Sequence, residues 1–257
     1  MELDRAMLTT RIIPCLDIDE GVVVKGIKFQ ELRNAGDPAE LAVAYYQGGA
    51  DEIILLDVGA TYKSRKIMID IIRFVSQEIF IPLTVGGGIK SVADMREVLN
   101  AGADKVAVCS AALEDPALIS NGAERFGSQC IVLSIDARRR GDTWYAFTYG
   151  GRSGTDREVV EWAKEGERLG AGEILLNSID RDGTRQGYDI TLLRRVSESV
   201  RIPVIASGGA GRLSHICDAI HIGKADAVLI ASLLHYQEFS IQQIKSYLSR
   251  KGVRVRW

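Results

Sequence analysis

The sequence has few of the residues and patterns that mark metal sites, secretion or membrane insertion. It contains four cysteines and three histidines, with no Cys-x-x-Cys or His-Glu-x-x-His spacing, so we expect neither a metal site nor a cofactor. No stretch approaches the roughly 20 apolar residues that cross a membrane. The first ten residues lack the apolar core of a signal peptide. Unpaired thiols without a signal peptide predict a cytoplasmic location.

An excess of basic charge is also missing. The 32 basic and 34 acidic residues leave a net charge of −2, so we expect no nucleic-acid partner. No Pro/Ser-rich linker or low-complexity segment divides the 257 residues, and barrels of about 250 residues commonly form one domain. We therefore predict a single domain over 1–257, with 1–7 as a dispensable extension.

Eight short apolar runs recur along the chain. They are continuous rather than alternating, which is typical of parallel strands covered on both faces. Helical periodicity fills most of the gaps, and several helical stretches end in glycine just before the next run. This order predicts a (β/α)₈ TIM barrel of the α/β class. The runs are 12–17, 52–57, 81–85, 105–109, 130–136, 173–178, 202–207 and 227–232.

The chain also repeats itself at about half its length. The repeat predicts two half-barrels related by a pseudo-twofold along the barrel axis. A group at one strand end should then have a counterpart across the barrel mouth. The aligned segments are 81–113 with 202–234, 49–57 with 170–178 and, more weakly, 12–21 with 132–141.

Two glycine runs follow strands at equivalent places in this repeat. Glycine lets backbone N–H groups approach an anion closely, and barrels often hold phosphate after their last two strands. Two such cups facing each other predict an elongated substrate with a phosphate at each end, although each run alone also fits a tight turn. The first glycine cup comprises Gly87, Gly88, Cys109 and Ser110, and the second Gly208, Gly209, Ala231 and Ser232.

Two aspartates, Asp17 and Asp136, end the first and fifth runs. Catalytic groups of this fold stand at the carboxyl ends of strands, and a pair of carboxylates can divide acid and base work. Hydrogen bonding of each carboxylate to loop N–H groups is the structural alternative. Segment 18–38 is long for a connection, which predicts a lid. Asp182 and Gly183 lie in the acidic turn after the sixth run, near the second glycine cup.

Charged residues gather at the opposite, amino-terminal ends of the strands. They are Arg11, Glu52, Lys105 and Glu173, which we call the charge ring. Such residues usually form a satisfied set of ion pairs, and a ring of this kind could also gate a passage through the barrel.

Taken together, these motifs resemble the cyclase subunit family of imidazole glycerol phosphate synthase, an enzyme of histidine biosynthesis. The resemblance runs from Leu8 to Val255. It implies a barrel of two similar halves that receives ammonia from a glutaminase, a heterodimer partner docked on its amino-terminal face. The motifs are RIIPCLDIDEGVVVKGIKF, LRNAGDP, TVGGGI, GADKV, FGSQCIV, SIDARR, GAGEILL, DRDGT and PVIASGGAG.

The resemblance also implies roles for single residues. Asp17 and Asp136 would be the general acid and base, and Lys25 would belong to a mobile loop over the substrate. The charge ring would be the ammonia gate. Substrate contacts, mostly to its two phosphates, would come from Gly88, Cys109, Ser110, Asn177, Asp182, Gly183, Ser207, Gly209, Ala231 and Ser232.

Three residues depart from the family pattern. Cys109 replaces a usual Asn, Asn177 a usual Thr, and Gly59 a usual Thr. Three alternatives therefore stay open beside the cyclase. One is a diverged paralogue that delivers ammonia to another phosphorylated or nucleotide-linked substrate. Another is the related isomerase of the same pathway, against which the DRDGT and lid sequences argue. The third is a non-catalytic phosphosugar-binding barrel.

Overall fold

A computed structural model describes residues 9–27, 30–59 and 69–257. Strands and helices alternate along most of this part of the chain. In chain order the elements are β1 (Arg11–Asp19), β2 (Val22–Ile27), β3 (Gln30–Gly36), α1 (Pro38–Gln47), β4 (Ile53–Asp57), α2 (Ile69–Glu78), β5 (Leu83–Gly86), α3 (Val92–Asn100), β6 (Lys105–Val108), α4 (Ser110–Glu114), α5 (Ala117–Phe126), a 3₁₀ turn (Ser128–Cys130), β7 (Ile131–Arg140), β8 (Thr143–Thr148), β9 (Ser153–Glu158), α6 (Val159–Leu169), β10 (Glu173–Ser178), α7 (Ile190–Ser199), β11 (Val204–Ser207), α8 (Leu213–His221), β12 (Ala227–Ile230), α9 (Ser232–His235) and α10 (Ile241–Arg250).

Eight parallel strands close into a barrel. Each pairs in parallel with its neighbours in the order β1, β4, β5, β6, β7, β10, β11 and β12, and β12 pairs back to β1. Every predicted apolar run overlaps one of these strands. The (β/α)₈ prediction is therefore confirmed.

Two apolar layers explain why the strand sequences are continuous rather than alternating. One layer lies between the strands and the surrounding helices. The other fills the barrel interior, where Ile13, Ile54, Val132, Leu175 and Ile205 meet. Successive strand residues point to opposite faces, so both sets of positions must be apolar.

Local signals fix where the helices begin and end. The Asp37 carboxylate accepts hydrogen bonds from two N–H groups of the first turn of α1, and Ser240 forms a capping box with Gln243 at α10. Such caps satisfy N–H groups that have no partner inside the helix. Gly170, which follows α6, adopts a φ of +103° and turns the chain towards β10, as the glycine pattern predicted.

Two antiparallel hairpins extend the barrel wall. β2 and β3 add to β1, and β8 and β9 add to β7. The segment 18–38, predicted as a loop-like lid, thus contains strands. The second hairpin was not predicted, because its residues interrupt the strand–helix alternation. Since β1 and β7 open the two halves, the hairpins hang at equivalent positions and support the duplication.

The strand register defines the duplication more sharply than the sequence does. In the first half, Asp17 pairs with Leu56 and Leu56 with Gly86. In the second half, Asp136 pairs with Asn177 and Asn177 with Ser207. Asp17 and Asp136 are therefore structural equivalents. The weak match of 12–21 with 132–141 was wrong by one residue, since it set Leu16 against Asp136.

Candidate active site

A cavity of about 160 Å³ opens at the carboxyl ends of the barrel strands. This is the face on which the fold carries its catalytic groups. Residues from both halves line the cavity, and thirteen of them were predicted from the sequence. These are Asp17, Gly87, Cys109, Ser110, Asp136, Asn177, Asp182, Gly183, Ser207, Gly208, Gly209, Ala231 and Ser232.

Two predicted residues are not among those that line the cavity. Of the two glycines of the first glycine cup, Gly87 lines the cavity and Gly88 does not. Lys25 belongs to β2, but its side chain lies outside the described residues.

Asp136 is held from two sides. Asn177 donates from Nδ2 to its Oδ1 at 3.0 Å, and the Cys109 thiol approaches its Oδ2 at 3.9 Å. Burial raises the pKa of Asp136 to about 6. The Asn177 hydrogen bond opposes this rise, whereas the negative charges of Asp182 and Asp17 add to it. A carboxyl with this pKa can hold or release a proton near neutral pH.

Asp17 faces the same cavity from the opposite wall. It is buried, and the Cys15 thiol donates to its Oδ1 at 3.4 Å. Its neighbour across the sheet is Leu56, which offers no polar group. Equivalent positions thus place two carboxylates in different chemical surroundings.

The first glycine cup is shaped by close backbone contact. Gly87 has a φ of +91°, and a Cβ there would collide with the carbonyl group of Asp57. Only glycine fits such an approach without strain. Ser110 begins α4, and its Oγ accepts a hydrogen bond from the N–H of Tyr149 at 2.9 Å. The Ser110 hydroxyl proton can therefore point towards a bound anion.

The second glycine cup repeats this geometry. Gly208 and Gly209 have φ values of +88° and +106°, and Ala231 precedes the short helix α9. The backbone angles of Ala231 (φ −121°, ψ −75°) resemble those of Cys109 before α4 (φ −129°, ψ −93°). Neither helix has a side-chain cap at its start, so the first N–H groups of both can serve a ligand.

Several lining residues were not predicted from the sequence, among them Tyr149, Gly150 and Arg152. These three come from the turn between β8 and β9, which the strand–helix pattern did not predict. Arg152 brings a cation near the first glycine cup, and its Nη1 donates to the carbonyl of Tyr149 at 2.8 Å. The adjacent glycines in YGGR were the available signal.

The charge ring closes the opposite end of the barrel. Lys105 Nζ lies 3.0 Å from Glu52 and 2.9 Å from Glu173, and Arg11 pairs with the same two carboxylates, 2.7 Å from that of Glu52. Burial alone would lower the pKa of Arg11, but the charges and hydrogen bonds of Glu173 and Glu52 outweigh it and raise the pKa. The ion-pair prediction is therefore confirmed.

The fold and the two-carboxylate cavity define an enzyme of the (β/α)₈-barrel class. A family model described as histidine biosynthesis protein matches residues 11–240. Relatives named imidazole glycerol phosphate synthase subunit HisF are 55% identical in Geobacillus thermodenitrificans and 56% identical in Geobacillus kaustophilus, over 97% of this chain and 100% of each relative. A relative of the same name in Dehalococcoides mccartyi is 56% identical over 97% of this chain and 99% of its own length. The chain belongs to this HisF family, the cyclase subunits of imidazole glycerol phosphate synthase.

These comparisons bear on the alternatives left open by the three departures. Identity of about 55% over nearly the whole chain supports a cyclase of histidine biosynthesis, which is a lyase, and does not favour a diverged paralogue or a non-catalytic barrel. Among the described residues, no helix is long and apolar enough to span a membrane.

Proposed function

We propose that this chain uses ammonia to convert N′-(5′-phosphoribulosyl)-formimino-aminoimidazole-carboxamide ribonucleotide into imidazole glycerol phosphate and aminoimidazole-carboxamide ribonucleotide. One observation carries the residue assignment: Asp17 and Asp136 line a single cavity between two equivalent glycine cups. This matches a substrate with a phosphate at each end and its reacting atoms in the middle.

The two carboxylates perform the proton transfers. Ammonia must lose protons as it adds to the substrate, and the departing nitrogen must gain one. Asp136, whose pKa is about 6, can exchange protons at neutral pH. Asp17 acts from the opposite wall, so each end of the reacting segment meets one carboxyl group.

Substrate binding is assigned to the two glycine cups. Ser110 and Gly88 serve one phosphate, with Cys109 beside them. Asp182, Gly183, Gly209, Ala231 and Ser232 form the site for the other. Asn177 and Ser207 line the space between the cups, and Lys25 closes over the substrate from the first hairpin.

Ammonia reaches the cavity through the barrel. The charge ring acts as the gate, and behind it lies an interior of apolar side chains that include Ile13, Ile54 and Leu175. Neutral ammonia crosses such a lining, whereas ammonium would lose its hydration without compensation. The passage therefore delivers the nucleophilic form.

A glutaminase subunit supplies this ammonia by docking around the charge ring as a heterodimer partner. Three of the exposed large apolar side chains, Phe80, Ile222 and Trp257, lie at this end of the barrel. Phe80 precedes β5, Ile222 precedes β12, and the C-terminal segment pairs with Thr10 just before β1. Exposed apolar side chains around one opening support a protein interface.

We also propose a cytoplasmic location. All four cysteines lie in the described part of the chain and none forms a disulfide. Reduced cysteines support a reducing compartment.

The test is turnover with ammonium salt by the purified chain and its Asp17→Asn and Asp136→Asn variants. Each substitution keeps the side-chain shape but removes the ionisable proton. We expect rates at least about 100-fold below wild type, within the usual range for general acid–base catalysis, with unchanged circular dichroism. Near-normal rates in both variants would refute the proposed roles.

A further inference from the structure

The duplicated barrel surrounds its two equivalent aspartates with unlike neighbours. Along the second half, Asp136, Asn177 and Ser207 stand side by side in register on β7, β10 and β11. The same row of the first half holds Asp17, Leu56 and Gly86. One row is polar at every position, whereas the other has no polar side chain beyond its aspartate.

The polar row forms a directed hydrogen-bond chain. Ser207 Oγ donates to Asn177 Oδ1 at 3.2 Å, and Asn177 Nδ2 donates to Asp136 Oδ1 at 3.0 Å. A carboxylate only accepts hydrogen bonds, so the amide must turn its nitrogen towards Asp136. Its oxygen then faces the Ser207 hydroxyl, which holds the amide in that orientation.

Glycine at position 208 makes room for this chain. A Cβ on Gly208 would stand 2.9 Å from Asn177 Oδ1, closer than side chains tolerate. On the Asp136 carboxylate, the remaining oxygen, Oδ2, has the Cys109 thiol at 3.9 Å as its hydrogen-bond partner among the described residues. One carboxylate oxygen of Asp136 is thus fixed by Asn177 of the polar row, and the other has the weak thiol donor of Cys109.

We propose that Asn177, oriented by Ser207, is a positioning residue that fixes Asp136 through Oδ1 and favours its charged form. This inference rests on the proposed cyclase function and refines it, since it moves Asn177 and Ser207 from substrate contact to control of Asp136.

The negative charges around Asp136 oppose its charged form, whereas the Asn177 donor favours it. Asp17 on β1 and Asp182 after β10 both raise the pKa of Asp136, and the nearby Cys109 on the β6 side is a thiol whose own pKa is raised by burial and by Asp136. On β8, its pairing partner is the uncharged Phe147. Asn177 is the neighbour whose hydrogen bond most strongly lowers the pKa of Asp136.

The first experiment replaces Asn177 with leucine, the residue at the equivalent position 56. Loss of a hydrogen bond to a charged group raises the pKa of Asp136 by about 1–2 pH units. We would measure this pKa by carbon NMR of aspartate-labelled, substrate-free protein, with Asp136→Asn identifying the signal. An upward shift supports the inference, and an unchanged midpoint in a folded variant overturns it.

The second experiment compares ammonium-dependent rates of Asn177→Leu and wild type from pH 6 to 9. Because both proteins meet the same free ammonia at each pH, their rate ratio cancels its titration. If the reaction requires the charged form of Asp136, the ratio is lowest at acidic pH and rises several-fold towards pH 9. A ratio independent of pH overturns the coupling to catalysis.

Serine 207 provides the matched controls. Ser207→Ala removes the hydroxyl that orients the amide, so we expect a smaller shift of the Asp136 midpoint in the same direction. Ser207→Thr keeps a hydroxyl and should restore the wild-type midpoint; equal midpoints in both variants would exclude Ser207 from the chain. The NMR midpoint does not depend on turnover, so this inference and the proposed function can fail separately. Full activity of Asp136→Asn would refute the catalytic role proposed for Asp136 and leave the midpoint measurements unaffected.

Discussion

At the scale of single residues, the enzyme holds a carboxyl group at a position where its ionisation is energetically unfavourable. Asp136 is largely buried and shares its cavity with Asp17, Asp57 and Asp182. Burial raises its pKa from 3.8 to about 6. The folded protein therefore binds this proton more tightly than the unfolded chain does. Its ionisation at neutral pH consequently reduces stability.

We expect Asp136→Asn to stabilise the protein above pH 7 while abolishing turnover. The stability contribution of a group whose pKa is raised in the folded state is present below its unfolded pKa and is lost as pH rises through about 6. Allowing for partial exposure, the variant should gain about 2 kcal/mol at pH 8 and nothing near pH 3.5. Urea unfolding at both pH values measures this gain, and an equal gain at both would contradict the explanation.

The residues differ in how far the sequence could predict them. Asp17 and Asp136 were found because each ends a continuous apolar run, and the fold then dictates which way the strand end faces. Arg152 and Tyr149 were missed because their turn belongs to strands outside the repeating pattern. The role of Asn177 depends on which residues stand beside it in the sheet, and that register cannot be read from one strand alone.

At the scale of elements, the same hydrogen-bond arrangement recurs at the starts of several barrel strands. Asp51, Asp104 and Asp226 precede β4, β6 and β12. Each accepts a hydrogen bond from a backbone N–H at the start of a neighbouring strand, at 2.8–2.9 Å. The fourth equivalent position is Gly172, where a Cβ would collide with the carbonyl of Ser128. The 3₁₀ turn over Ser128–Cys130 thus explains the exception.

The second glycine cup gives the element-scale prediction. Gly209 has a φ of +106°, a Cβ there would collide with the Gly187 carbonyl, and Gly187 donates to the Gly209 carbonyl at 2.7 Å. Gly209→Ala must push the loop after β10 away from the cup. We expect the KM for the bis-phosphorylated substrate to rise at least about 10-fold, from strain of about 1–3 kcal/mol.

Gly141→Ala is the matched control for this substitution. Gly141 also has a positive φ, of +63°, but no atom lies within 4 Å of its Cβ position. The control should lose some stability and keep its KM, as steady-state kinetics with ammonium salt will show. A similar rise in KM in both variants would show that general backbone strain, and not the contact with Gly187, causes the effect.

At the scale of the whole molecule, the sequence predicted the duplicated barrel but not the equivalent hairpins that extend its two halves. Segments 81–113 and 202–234 match because both build the same strand–turn–helix units, and packing constrains their apolar positions. The hairpins after β1 and β7 are equivalent in topology, yet their sequences share little. Exposed or half-exposed strands tolerate many residues, so their correspondence became visible only in the sheet.

We expect the two ends of the barrel to have different functions, with partner docking at the charge-ring end and turnover at the cavity end. Phe80 is 81% exposed and precedes β5, at the end of the barrel opposite the cavity. Phe80→Asp should weaken glutaminase docking by about 10-fold or more, in the range of apolar interface anchors, and leave ammonium-dependent turnover unchanged. Phe74, 53% exposed on the outer face of α2, is the control position. Equal effects of Phe80→Asp and Phe74→Asp on glutamine-dependent turnover would argue against docking at this end.

The two hairpins continue directly from β1 and β7, the strands that carry Asp17 and Asp136. Asp17 pairs with Val24 of one hairpin, and Asp136 pairs with Phe147 of the other, while parallel strands grip each aspartate from within the barrel. A change in a hairpin can therefore alter which substrate is bound while the parallel strands keep the two aspartates in place. In this architecture, substrate specificity and reaction chemistry can evolve separately.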